Sequence, residues 1–186
     1  MRIYTMLPNG QPLGVSGLTL EERLKALFVY ADQMGIERLG VYMGLKWSQD
    51  PSPTVLVQQN SEVLRAIAKF ADRAFGFVYV SAKHPVESLA ELERCFAHGP
   101  MVGVKLWVAK TCSVSAIDAI IRRAVELKAV IFQHTWFKTN GNYPGELMPN
   151  ALVTLARCFP EVPIICGHTG GTWELCIRAI CEPTKL

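Results

Sequence analysis

Short β-branched and apolar runs alternate with amphipathic helical stretches along almost the whole chain, and nothing else in it constrains the fold as strongly. Strands read at Arg38–Met43, Gly76–Ser81, Met101–Val108, Val130–Gln133 and Pro163–Cys166. Helices read from Thr19 to about Met34, from Asn60 or Ser61 to about Arg73, and at Pro85–Phe96, Val114–Leu127 and Leu147–Cys158, with a last one opening near Thr172. The first is delimited by a Thr cap, by Glu21 and Glu22 in the opening turn, and by Gly35 as the stop. Strands that alternate with amphipathic helices build right-handed βαβ units around a parallel sheet. Two long segments, Gly44–Val57 and Thr135–Glu146, follow strands. They therefore fall on the carboxyl rim, where such folds bind ligands.

The count of five strands and six helices, beginning with a helix, narrows the architecture. An open dinucleotide-binding sheet would carry a Gly-rich turn after an early strand, and none is present. A complete (β/α)8 barrel has eight strands in about 250 residues. The 186 residues therefore read as a single domain, residues 1–186, forming an incomplete TIM-like barrel.

Composition removes several function classes. Half the residues are hydrophobic and 19% are charged, which suits a globular core rather than disorder. The net charge of +3 is spread along the chain, with Arg122-Arg123 the densest pair, so no basic stripe points to nucleic acid. No apolar run approaches the roughly 18 residues of a membrane span, and the start lacks the apolar stretch of a secretory signal. The six cysteines contain no C-x-x-C pair and read as reduced thiols, which fits a cytoplasmic setting.

The residues with chemistry to offer gather at strand ends. His134 ends Val130-Ile131-Phe132-Gln133-His134, and His168 ends Pro163-Ile164-Ile165-Cys166-Gly167-His168. Imidazoles on neighbouring strand ends can share a divalent metal or act as acid and base around it; the bland reading is two rim histidines satisfied by backbone carbonyls. In Gly167-His168-Thr169-Gly170-Gly171-Thr172, Gly170 and Gly171 let the backbone approach a ligand at a helix amino end, or simply serve a tight turn. Lys105 lies inside an apolar strand, where an ammonium must face the barrel mouth or find a partner. It is a candidate for binding a substrate carboxylate. Trp107, two residues on, shares its face, and Trp136 lies in the loop beside His134. His84, before Pro85, is a weaker rim candidate, while His98 falls on the opposite face. Cys166, two residues before His168, is expected on the same strand face and is a less favoured nucleophile candidate.

These residues together resemble the amidohydrolase superfamily, in its amidohydrolase-related (amidohydrolase 2) branch. The resemblance is carried by Gly103-Val104-Lys105-Leu106-Trp107, Gln133-His134-Thr135-Trp136, Ala156-Arg157-Cys158-Phe159-Pro160 and Gly167-His168-Thr169-Gly170-Gly171. It implies a distorted (β/α)8 barrel with a divalent metal centre, expected to be zinc, at the carboxyl rim. His134 matches the strand-five metal ligand, and His168 matches the strand-six histidine that serves as ligand or catalytic acid/base. Lys105 matches a strand-four position that is a carboxylated, metal-bridging lysine in some members and a pocket residue here. The implied reaction is hydrolysis of an amide, ester or lactone of a small carboxylated molecule by metal-activated water. The alternatives are non-oxidative decarboxylation and a non-catalytic binding protein. The family's first-strand His-x-His and last-strand Asp have no counterpart in the chain, so a partial sequence spanning about strands 2 to 6 is expected. Its open edge strands would favour association, a homo-oligomer included.

Overall fold

The alternation read from the sequence is realised as α1 (Leu20–Gln33), β1 (Leu39–Val41), α2 (Pro53–Lys69), β2 (Ala74–Val80), α3 (Pro85–Leu92), β3 (Gly103–Leu106), α4 (Val114–Glu126), β4 (Val130–His134), α5 (Pro149–Cys158), β5 (Ile164–Gly167) and α6 (Trp173–Cys181). This computed structural model describes residues 19–42, 51–106, 114–136, 141, 148–168 and 171–181. Among them the five strands pair in parallel in the order β1-β2-β3-β4-β5 and curl into an incomplete barrel with β1 and β5 at its edges.

Strand alternation gives the sheet two faces. Val78, Val80, Val104, Leu106 and Ile131 face the helices and join one core with Val63, Ile67, Leu92, Ile120, Ile121 and Leu155. The inner face carries Phe77, Tyr79, Lys105, Phe132 and His134, in register across β2, β3 and β4. Gly103 makes room for this aromatic layer. A Cβ there would lie 2.3 Å from the Val130 carbonyl oxygen and 2.8 Å from the Phe77 ring.

Helix α2 starts earlier than the periodicity alone suggests, taking in residues first read as loop. Ser52 accepts a hydrogen bond from the Val55 amide at 3.4 Å, and Pro53 occupies the first turn, where its missing N–H is harmless. The helix then buries Leu56, Gln59, Asn60, Val63, Ala66 and Ile67 on one stripe. Helix α3 is shorter than expected and continues as a π-helical turn, Glu93–Ala97.

Side chains complete the edge of β2. The backbone N–H and C=O groups of odd-numbered residues along this stretch point towards β1, as the Leu39 amide bonded to the Arg73 carbonyl shows. However, β1 pairs with only Ala74, Phe75 and Gly76. Beyond it, Asn60 accepts from the Tyr79 amide at 2.8 Å and donates to the Tyr79 carbonyl at 3.1 Å. The Ser88 hydroxyl treats Ser81 in the same way, at 3.0 Å each way. Asn60 also donates to Glu91 at 2.9 Å, which Arg94 grips through two nitrogens at 2.8 and 2.7 Å. Burial alone would raise the Glu91 carboxyl, but Arg94 and Asn60 outweigh it and hold the group below its ordinary range.

Candidate functional site

Parallel strands deliver their last residues to one rim, and β4 and β5 end at the two histidines. His134 is the final residue of β4, pairs with Gly167 across the ladder, and is 2% exposed. His168 follows β5 with φ at +58°, a left-handed backbone that ends the strand's alternation. This twist brings the two imidazoles to a centroid separation of 4.6 Å, at 69° to each other. Trp136 stacks beside both, 4.5 Å from His168 and 5.9 Å from His134. Gly171 has φ at +82°, a conformation glycine adopts freely. Its amide donates to the His168 carbonyl at 3.0 Å and closes the turn.

Two imidazoles on one ion, at zinc–nitrogen distances of about 2.0–2.1 Å, have centroids roughly 5 Å apart. The observed 4.6 Å is close to that separation. Three protein ligands are usual for catalytic zinc, and among the described residues no group of three or more His, Cys, Asp or Glu gathers for a metal.

Lys105 sits one pleat deeper on the inner face. It is 1% exposed, and its Nζ has no hydrogen-bond partner among the described residues. The nitrogen lies 3.9 Å from the Phe132 ring centroid and 4.9 Å from that of Tyr42, so ring faces are its main electrostatic company. Burial pushes its pKa down to about 7 and raises the Tyr42 phenol. Lys105 pairs with Phe132, two residues before His134, which places it roughly 6–7 Å below the histidine along the strand direction.

Other expected residues are placed differently. Trp107 and Gly170 lie outside the described residues, as does most of the loop after Trp136. His84 stands at the amino end of α3, on the rim, without a side-chain capping bond. His98 follows the π-helical turn and is exposed. Cys166 does not share a face with His168. It lies beside the helix-side core and contacts Cys176 of α6, because the left-handed turn at His168 breaks the period on which that expectation rested. Two features of the site escape a scan for catalytic residue types. The aromatic seat of Lys105 was half legible, since Phe132 alternates with His134. The hydroxyl of Thr135, which donates to the Gly167 carbonyl at 2.8 Å and ties β4 to β5 beneath the histidines, carries no local signal.

The profile of the Amidohydrolase family matches residues 49–180. No curated protein matches the chain. Solved structures share its fold at low identity. The 5-carboxyvanillate decarboxylase of Novosphingobium aromaticivorans, complexed with manganese and 4-hydroxy-3-methoxy-5-nitrobenzoic acid, aligns with a TM-score of 0.62 at 16% identity, over 78% of this chain and 49% of its own. The 2,6-dihydroxybenzoate decarboxylase from Rhizobium aligns with a TM-score of 0.60 at 16% identity, over 89% and 63%. The 4-oxalomesaconate hydratase of Rhodopseudomonas palustris aligns at 0.58 and 17%, over 86% and 54%. The chain thus spans less than two thirds of each of these proteins. With a profile match over more than two thirds of its residues, on a partial parallel barrel whose rim joins two histidines, the chain belongs to the amidohydrolase family.

Proposed function

We propose that this chain forms the His134–His168 side of the active site of a metal-dependent enzyme acting on a small carboxylated molecule. The observation that carries the reading is the convergence of the two imidazoles, 4.6 Å apart, at adjacent strand ends. His134 and His168 would hold a divalent ion together with ligands from outside the described residues; zinc is our expectation, and the manganese in the solved decarboxylase is the other metal to test. The chemistry such an ion supplies when bound is a water molecule acidified towards neutrality. In its alternative role, as acid/base in place of ligand, His168, more exposed than His134, would take or return a proton. Lys105, below the rim, would take the substrate carboxylate, whose charge would draw a proton back onto the amine. Trp136, beside both rings, would contact the substrate. Trp107, Gly170 and Gly171 belong to the same proposed substrate-binding set.

On this arrangement the reaction is hydrolysis of an amide, ester or lactone. Decarboxylation is the second reading. The aromatic seat around Lys105 favours it, as do the two aromatic-acid decarboxylases among the solved relatives. Titration with zinc and with manganese, followed by calorimetry, tests the shared centre: His134→Ala and His168→Ala should each weaken binding by at least about tenfold. Equal binding by the double variant would refute it. Feeding the metal-loaded protein lactones and aromatic acids, with product mass as the readout, separates the two reactions.

A further inference from the structure

The helix side of β5 holds a second reactive group, distinct from the histidines. Cys166 and Cys176 are reduced, and their sulfurs lie 3.2 Å apart. Cys176 is the buried residue of α6, while Trp173, Leu175, Ile177 and Ile180 of the same helix are exposed. A thiol–thiol contact thus joins α6 to the sheet. On its other side Cys166 touches the Thr135 hydroxyl at 2.9 Å. The Thr135 hydroxyl also donates to the Gly167 carbonyl, so Cys166 lies between a hydroxyl and the second thiol.

We propose that Cys166 and Cys176 are a redox modification site that closes an intrachain disulfide by exchange with a small-molecule disulfide. Cys166, only partly buried, meets the reagent first. Its sulfur bonds to one sulfur of the reagent, the reagent's S–S bond breaks, and the other half leaves as a thiol carrying a proton. The sulfur of Cys176 then attacks Cys166, expels the second half as thiol, and completes the S–S bond. Two protein thiols are oxidised by two electrons, and one disulfide is reduced to two thiols. The sulfurs need to approach by only about 1.2 Å to reach bonding distance. The bond encloses residues 166–176, including His168 and Gly171 with their left-handed backbones. It also removes the S–H group that contacts Thr135. Oxidation would thereby tie α6 to β5 and stiffen the turn that presents His168.

The test is a peptide map of the full chain, with the exposed Cys158 and Cys181 replaced by Ser, after equilibration with oxidised glutathione. The peptides bearing Cys166 and Cys176 should appear linked, lighter by two hydrogens and free of glutathione. At millimolar glutathione the linked form should exceed the mixed disulfide by about tenfold or more, because closure is intramolecular. In Cys176→Ser, glutathione should remain on Cys166. If the background protein carried glutathione on Cys166 in at least the amount of the linked form, or if neither thiol reacted, the proposal would be overturned. The background protein decides this alone should the variant fail to fold.

Discussion

Replacing Lys105 by Met removes a buried amine while keeping an unbranched side chain and most of its volume, and the consequence depends on pH in a calculable way. Burial lowers the Lys105 pKa from 10.5 to about 7, so the folded chain gives up this proton well before the unfolded chain does. Between those values the unfolded state binds more protons, and wild-type stability rises with pH. The burial penalty is complete below pH 7 and has nearly vanished at 10.5. Worked through the linkage relation, it amounts to about 5 kcal/mol at about pH 6 and about 2 kcal/mol at about pH 9. Lys105→Met should therefore gain stability over wild type at the acid end, and the difference between the two proteins should shrink by about 3 kcal/mol across that span. Any packing difference between Met and Lys adds a constant and leaves the slope intact. Urea unfolding of both proteins at the two pH values measures it. A difference that does not change with pH would refute the reasoning, since it would mean that the ammonium is solvated or paired in the folded chain.

Asn60→Ala takes the carboxamide away from the Tyr79 amide and carbonyl and removes one of the donors to Glu91 Oε2, which keeps Arg94; a loss of about 3 kcal/mol is expected by urea unfolding, and a loss under about 1 kcal/mol would show that water replaces the carboxamide. Gly103→Ala drives a methyl group into the Val130 carbonyl and the Phe77 ring; a cost of about 3 kcal/mol or more is expected, with near-ultraviolet circular dichroism reporting the displaced aromatics, and a neutral outcome would contradict the close packing of the inner face. Thr19→Ala removes the side-chain half of a capping box with Glu22, in which the Thr hydroxyl accepts from the Glu22 amide at 3.2 Å, and leaves the backbone half, in which the residue 19 amide donates to Glu22 at 2.7 Å; about 1 kcal/mol should be lost in thermal unfolding.

The class of fold, the parallel direction of its strands and the strand-end positions of both histidines were legible in the sequence, because each rests on local periodicity: a period near two for strands, near 3.6 for helices, and a change of period at each rim. The start of α2 was also written locally, in Ser52-Pro53, but a scan for apolar stripes passes over a cap. What periodicity does not carry is register and the direction a backbone takes once it leaves a strand. The left-handed turn at His168 sends its ring to His134 and leaves Cys166 on the helix side. The seat of Lys105 depends on which residues of β4 and of the segment after β1 lie opposite it. Asn60 acts as a surrogate strand partner for Tyr79 although 19 residues separate them. Local chemistry thus determined which elements form and which residues reach the rim. Only the tertiary structure decided which of them meet, since contact depends on the pairing of segments far apart in the chain.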